Sequence, residues 1–194
     1  MSKNNSNLAT YKSKRDLKRS PEPPAQKGKK KYKKRIFVIQ KHDARAHHYD
    51  FRIEVHGVLK SWAVPKGPST DPRVKHLAVK TEDHPYGYAQ FEGVIPEGHY
   101  GAGPVMIWDK GTYVPIKDSA IADDIKEGHV EIFLHGHKIK GGYALIRMGL
   151  PTSKNWLLIK MKDEYADARR KPTKTQNRSV VSNRTIKQIE KGDE

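Results

Sequence analysis

No cysteine occurs among the 194 residues, which excludes disulfides, thiolate-held zinc and a cysteine nucleophile. No apolar run is long enough to span a bilayer, and the N-terminus lacks the hydrophobic stretch of a secretion signal. The expectation is a soluble, cytoplasmic protein with no membrane partner. Aromatic residues make up only 8% and hydrophobic residues only 35% of the chain. Acidic residues are also scarce, with 22 Asp and Glu against 38 Lys and Arg. Two nucleotide and acyl-transfer signatures are missing as well. The glycine-punctuated loop Phe91–Gly103 has neither G-x-x-x-x-G-K-[ST] nor a following helix, and Ser61 and Ser69 lie in no nucleophile elbow. That loop reads as structural, its glycines setting positive backbone angles.

What is present is positive charge, +16 in formal net terms. Phosphates spaced along a nucleic acid reward such charge through counterion release, so nucleic acid is the first partner to consider. Basic tails that serve solubility or acidic membrane surfaces are the plainer alternative, because charge reveals electrostatics and not chemistry. The apolar residues are unevenly spread: residues 36–162 hold most Val, Ile, Leu and Phe and all three Trp. Residues 1–35, with Lys27-Gly-Lys-Lys-Lys-Tyr-Lys-Lys-Arg35, and residues 163–194, with Arg169-Arg-Lys171, show no hydrophobic period. The reading is one domain over 36–162 between two flexible basic segments.

Within that domain the patterning is that of short strands. Tyr49, Phe51, Ile53 and Val55 alternate with His48, Asp50, Arg52 and Glu54, which predicts a strand with one face in a core and the other toward solvent or a cleft. Further strands are predicted at Val58–Val64, around Leu77–Thr81 running on into Asp83-His84-Pro85, and at Trp156–Met161. Val105–Trp108 and Thr112–Val114 flank Asp109-Lys-Gly111 as one expected hairpin; Val130–Leu134 and Ile139–Met148 flank His135-Gly-His137 as a second. Only Ser119–Glu127 reads as helix. The fold class is therefore mostly all-β, an antiparallel barrel or sandwich. Several strands place charge on the alternate face, including Lys60 and Lys66 around one strand and Lys80 and Glu82 on another. An ordinary exposed sheet face looks the same, but a groove lined by such faces would suit a nucleic-acid strand.

The segment from His42 to Arg52 carries the chemistry. His42, His48 and Asp50 form H-x5-H-x-D, and the turn-like Asp43-Ala-Arg-Ala46 would fold His42 back beside the other two. Two imidazoles and a carboxylate are a divalent-metal set with positions left for water and substrate, and an adjacent Arg suits phosphate. Surface histidines near a basic protein's substrate are the plainer reading. With phosphate and water as hard donors, Mn²⁺ is the expected ion, Zn²⁺ next and Co²⁺ also compatible. A second cluster, Glu82-Asp83-His84-Pro85-Tyr86-Gly87-Tyr88, offers His84 as a proton or hydrogen-bond donor and Tyr88 as a phenolic donor; a surface His and a core Tyr would explain the same residues. Two other classes remain open. A non-haem iron oxygenase would use His48-x-Asp50 with a third ligand from His129, His135 or His137. A non-catalytic DNA-binding barrel would need no metal.

Taken together, His42-Asp-Ala, His48-Tyr-Asp-Phe-Arg52, Leu59-Lys-Ser-Trp-Ala-Val-Pro-Lys-Gly-Pro68, Glu82-Asp-His-Pro85, Phe91-Glu-Gly, Ile95-Pro, Tyr100-Gly101, Val105-Met-Ile-Trp-Asp109, Leu134-His-Gly, Asn155-Trp-Leu-Leu-Ile-Lys160 and Lys162-Asp-Glu-Tyr-Ala166 resemble the 3′-phosphoesterase domain of bacterial ATP-dependent DNA ligase D. Nothing in the chain resembles the ligase or polymerase domains of that enzyme, so a free-standing version is expected. The resemblance implies a β-barrel enzyme of DNA end joining. It would remove a 3′-terminal ribonucleoside and then hydrolyse the 3′-phosphate to a 3′-hydroxyl. It implies manganese at His42, His48 and Asp50, with Arg52, His84, Tyr88 and Lys66 around the scissile phosphate. Arg15, Asp16, Glu22 and Gln40 are implied as substrate residues, the N-terminal ones mainly for the ribonucleoside step. The implied partner is a DNA primer-template, served by a separate ligase, polymerase or end-binding protein, and the chain is expected to be a monomer. Two departures stand out. His76 occupies the place of a phosphate-contacting Arg, and Arg45-Ala-His47 replaces Ser-Arg-Leu, setting His47 beside His48; shared parity with Asp50 favours His48 as ligand.

Overall fold

The computed structural model describes residues 8–26 and 35–192; most of the Lys27–Arg35 run lies outside these. Antiparallel strands dominate: β1 (Ile36–Asp43), β2 (His47–Val55), β3 (Val58–Val64), β4 (Lys75–Lys80), β5 (His84–Pro85), β6 (Gly93–Ile95), β7 (Gly103–Pro115), β8 (His129–Gly136), β9 (Lys140–Arg147) and β10 (Asn155–Lys160). Four short helices complete the described chain: α1 (Ala9–Ser13), α2 (Ile121–Glu127), α3 (Pro172–Thr175) and α4 (Ile186–Lys191). The strand order β1-β2-β3-β4-β10-β9-β8-β7 returns to β1 through a β1–β7 ladder, so the sheet closes into an eight-stranded barrel with no free edge. β5 pairs only with β3, and β6 only with β7.

Alternation sorts each strand into two populations. Phe37, Ile39, Phe51, Ile53, Trp62, Val64, Met106 and Trp108 join Ile132, Leu134, Tyr143, Leu145, Trp156 and Leu158 in one large core inside the ring. The opposite parity of β1–β3 forms the outer wall, and there Val38, Leu59, Val105 and Ile107 pack in a second, smaller core with Tyr11, Tyr88, Phe91 and Ile95. Hence the polar face of β2 is itself buried: Asp50 is 6% and Arg52 3% exposed. The cover comes from the N-terminal segment and from the 3₁₀ turn Tyr86–Gln90.

The flanks therefore carry anchors. Tyr11 is fully buried and donates its hydroxyl to the Pro23 carbonyl at 2.8 Å. Beyond β10, Ile186 and Ile189 of α4 enter the barrel core, with a Thr185/Gln188 capping box fixing the helix start. These apolar residues are few and widely spaced in sequence, which is why no period announces them.

Two expected elements differ. Asp109-Lys-Gly111 is not a hairpin: β7 runs through it as a strand of 13 residues, with a bulge opposite Ile39/Gln40. The turn-forming chemistry of Asp109 is exercised at a distance. Its carboxylate accepts the N–H groups of His137, Lys138 and Ile139 at 2.9, 3.1 and 2.8 Å, capping the β8–β9 turn. Gly136 in that turn has no alternative, since a Cβ there would stand 2.5 Å from Asp109 Oδ2 and 2.7 Å from Phe37 Cζ. The strand near Leu77 also stops at Lys80; His84 belongs to the separate two-residue β5, which rejoins the same edge of β3 at Leu59 after Thr81–Asp83 interrupts the ladder.

Candidate metal and phosphate site

The β1–β2 register sets His42 directly opposite His48, and Gln40 opposite Asp50, all on the outer parity. Donor atoms of His42, His48 and Asp50 lie within 4.8 Å of one another. His42 Nδ1 and His48 Nε2 each stand 3.6 Å from Asp50 Oδ2. The remaining ring nitrogens are occupied by backbone: His42 Nε2 donates to the Gly101 carbonyl at 2.8 Å and His48 Nδ1 to the Ala46 carbonyl at 2.9 Å. Those bonds fix the tautomers, and each imidazole is left with a lone pair facing Asp50, the outer-sphere arrangement that metal-binding histidines use. The donor set thus fits a divalent ion. His47 is engaged elsewhere, paired with Asp43 and packed edge-on against Tyr49.

Arg52 links this group to the rest of the site. Its Nη2 lies 3.0 Å from Asp50 Oδ2, its Nε donates to Gln40 Oε1 at 2.8 Å, and its Nη1 stands 3.0 Å from His84 Nδ1. Gln40 is held in turn by donating to the carbonyls of Tyr88 and Phe91 at 3.0 and 2.8 Å. Burial works against ionisation of Asp50, but the Arg52 charge prevails and, with His42 and His48 alongside, holds its carboxyl well below the usual range.

His84 lies between two guanidiniums, with Arg15 Nη2 3.3 Å from its Nε2. Burial first, then the charges of Arg52 and Arg15, drive its pKa well below the ordinary value, so the ring is neutral. Around it stand Tyr11, Arg15, Arg52, Ser61, Glu82 and Tyr88. The unfolded chain therefore binds this proton more readily than the folded one, and stability present above about pH 6.5 is lost as pH falls toward the folded value. The thermal midpoint is expected to drop between about pH 7 and pH 5, and to drop less steeply in His84→Gln. Parallel slopes in calorimetry would assign the acid sensitivity to carboxylates instead.

A cavity of about 620 Å³ joins these groups, lined among others by Arg15, Arg45, Glu82, Tyr88, His99 and Tyr100. Arg15 is pinned by Glu22 at 2.8 Å and Glu82 at 3.0 Å. Glu22 also accepts the Tyr88 hydroxyl at 3.0 Å, so that phenol is already committed within the site. Three residues named from sequence stand apart. Lys66 is exposed two places beyond β3, His76 bonds the Gly67 carbonyl at 2.6 Å, and Asp16 is exposed beside Arg19; none lines the cavity. Conversely, Tyr11, Arg45, Glu82 and Tyr100 were not singled out. Their signal was weak: Tyr11 and Tyr100 sit in segments without periodicity, and Arg45 reads as a turn residue.

A family model described as the DNA Ligase D 3′-phosphoesterase domain matches residues 40–147. The multifunctional non-homologous end joining protein LigD of Pseudomonas aeruginosa is 47% identical over 183 residues, covering 92% of this chain and 22% of that protein. Its counterpart from Mycobacterium tuberculosis, a multifunctional non-homologous end joining DNA repair protein, is 48% identical over 157 residues, covering 81% of this chain and 20% of that protein. The Mycolicibacterium smegmatis protein is 45% identical over 161 residues, with 81% and 21% covered. The chain spans about a fifth of the length of these relatives.

Proposed function

Because the chain belongs to the DNA ligase D 3′-phosphoesterase domain family, we propose that it heals 3′ ends of DNA for end joining, removing a terminal ribonucleoside and then the 3′-phosphate to leave a 3′-hydroxyl. The observation that carries this reading is the meeting, in one cavity, of a His42/His48/Asp50 metal set with Arg15, Arg45 and Arg52. A divalent ion bound there, Mn²⁺ by this reading with Zn²⁺ or Co²⁺ also fitting, would supply Lewis-acid polarisation of a phosphoryl oxygen. The remaining work falls to side chains. Arg52, fixed on three sides, offers its outward N–H groups to the phosphate as pre-set positive charge. His84, being neutral, acts as a hydrogen-bond partner of the phosphate or leaving oxygen rather than as a resident acid. Lys66 and His76, which stand outside the cavity, would contribute only by reaching in over a bound strand. Arg15, Asp16 and Glu22 are proposed for the ribonucleoside step, with the substrate 2′-hydroxyl as internal nucleophile. The proposed setting is a cytoplasmic monomer acting on a primer-template alongside a separate ligase, polymerase or end-binding protein. No helix among the described residues is long and apolar enough to cross a membrane.

The iron-oxygenase alternative loses its late-strand ligand, since His129, His135 and His137 do not line this cavity. A primer-template ending in one ribonucleotide, assayed with Mn²⁺, Co²⁺, Zn²⁺ and Mg²⁺ after EDTA treatment, tests the proposal. Stepwise loss of a nucleoside and then phosphate, restored by metal, is the expected result. DNA binding that EDTA leaves unchanged, with no product under any metal, would turn the reading to a non-catalytic barrel.

A further inference from the structure

Lys60 and Lys80, which the sequence pattern set either on an ordinary exposed face or in a charged groove, do not line the metal-set cavity. They line a second cavity of about 540 Å³ together with Lys126, Arg147, Lys154 and Trp156. This cavity begins where β2 ends, at Val55, whereas the metal set lies at the His48 end of the same strand. At about 3.3 Å per residue, Val55 stands roughly 17 Å along β2 from Asp50 of the metal set.

No Asp or Glu lines the second cavity. Lys60 is paired with Asp83 and Lys126 with Asp123, but Lys80, Arg147 and Lys154 are ion-paired with no carboxylate among the described residues. Arg147 is built in rather than splayed: its guanidinium donates to the carbonyls of Ile125, Lys126 and Pro151 at 2.7, 2.5 and 2.8 Å and stacks 5.0 Å from the Trp156 ring. Lys80 approaches the same ring at 5.9 Å. Burial, then the charge of Lys60, pushes the Lys80 ammonium pKa down, against the opposing charge of Asp83. The Trp156 ring closes the cavity toward the barrel core, where it packs edge-on against Trp62 at 5.6 Å. With two of its five cations paired and Lys80, Arg147 and Lys154 not, the cavity keeps a positive excess beside an apolar wall that an anion would complement.

We propose that this cavity is a second, non-catalytic site for a nucleotide phosphate, engaged by the DNA backbone away from the reacting 3′ end. A strand rises about 3.4 Å per nucleotide, so the phosphate that reaches it lies about five nucleotides from the end. The volume also admits a free mononucleotide, the same chemistry from another source.

The test uses the full chain carrying Lys80→Gln and Lys154→Gln, positions outside the metal and phosphate site. Binding of 5′-dAMP is followed by amide chemical shifts, and phosphate release is measured on 3′-phosphorylated strands of 4 and 16 nucleotides. The double variant is expected to raise KM for the 16-mer roughly fivefold through the lost phosphate contact, with kcat unchanged, and to leave both constants unchanged for the 4-mer, which also shows that it folds. Shifts with 5′-dAMP in the wild type that vanish in the variant, without a KM change, would assign the site to a free nucleotide. Unchanged KM at both lengths and no 5′-dAMP shifts around Trp156 and Arg147 would overturn it. The shift arm needs no catalysis, so its failure is separable from failure of the phosphoesterase reading.

Discussion

Asp50→Ala is expected to lower phosphate release from a 3′-phosphate DNA end by at least ~100-fold, since even outer partners of metal ligands cost about 10- to 100-fold when removed. Asp50 faces both imidazoles at 3.6 Å and Arg52 at 3.0 Å. Its loss removes a metal donor and also strands the Arg52 guanidinium, which is 3% exposed. Those two effects are separable. His42→Ala deletes a donor and leaves the Asp50–Arg52 pair intact, so it should match Asp50→Ala in activity while retaining more stability. Metal uptake measured by equilibrium dialysis, beside the turnover assay, decides the cause. Near-normal turnover in a folded His42→Ala protein would sink the metal assignment.

Arg52→Ala should be nearly as damaging to catalysis and worse for folding. Truncating one pre-set charge donor costs about 10²- to 10³-fold in kcat. Breaking a buried pair costs about 3–5 kcal/mol, and at about 2–4 °C per kcal/mol for a domain of this size the thermal midpoint falls by roughly 6–20 °C. The reason is geometric: one planar fork serves Gln40, His84 and Asp50 at 2.8, 3.0 and 3.0 Å. Lysine carries the charge without the fork, so Arg52→Lys should recover part of kcat and little of the stability. A lysine variant indistinguishable from wild type by calorimetry and turnover would refute the fork's role.

How much of this was legible in the sequence depends on whether a residue acts through its own strand. β2 and β3 were readable because alternation is local, and the turn at Ala44–Ala46 placed His42 opposite His48. The metal set followed from those same eleven residues. Asp109 misled because its carboxylate organises a turn 28 to 30 residues away, and a turn-forming residue looks the same whichever backbone it caps. The covering segment carried residues that the resemblance named, Arg15 and Glu22, but its packing over the site was unreadable from pattern for a related reason. Tyr11, Arg15 and Glu22 gain meaning only from Glu82, His84 and Tyr88, contacts that no period encodes. Parity left Lys60 and Lys80 open to solvent or to a groove, and could not say which cavity they would meet, because a closed barrel has two ends.

The division of β1–β3 into a lumen population and an outer-wall population makes the strands unequal in what they tolerate. Substitutions are judged one at a time: Phe51 answers to the interior and Asp50 to the cleft. A length change is judged all at once. Inserting one residue before Asp50 in β2 would shift the pleat by one step, sending the carboxylate and guanidinium into the greasy lumen and the Phe51 and Ile53 side chains into the cleft. Inserting two would restore the facing but slide the metal donors out of line with His42. Lineages of this barrel are thus free to vary in spelling but not in spacing along β2, and insertions are tolerated only beyond its ends.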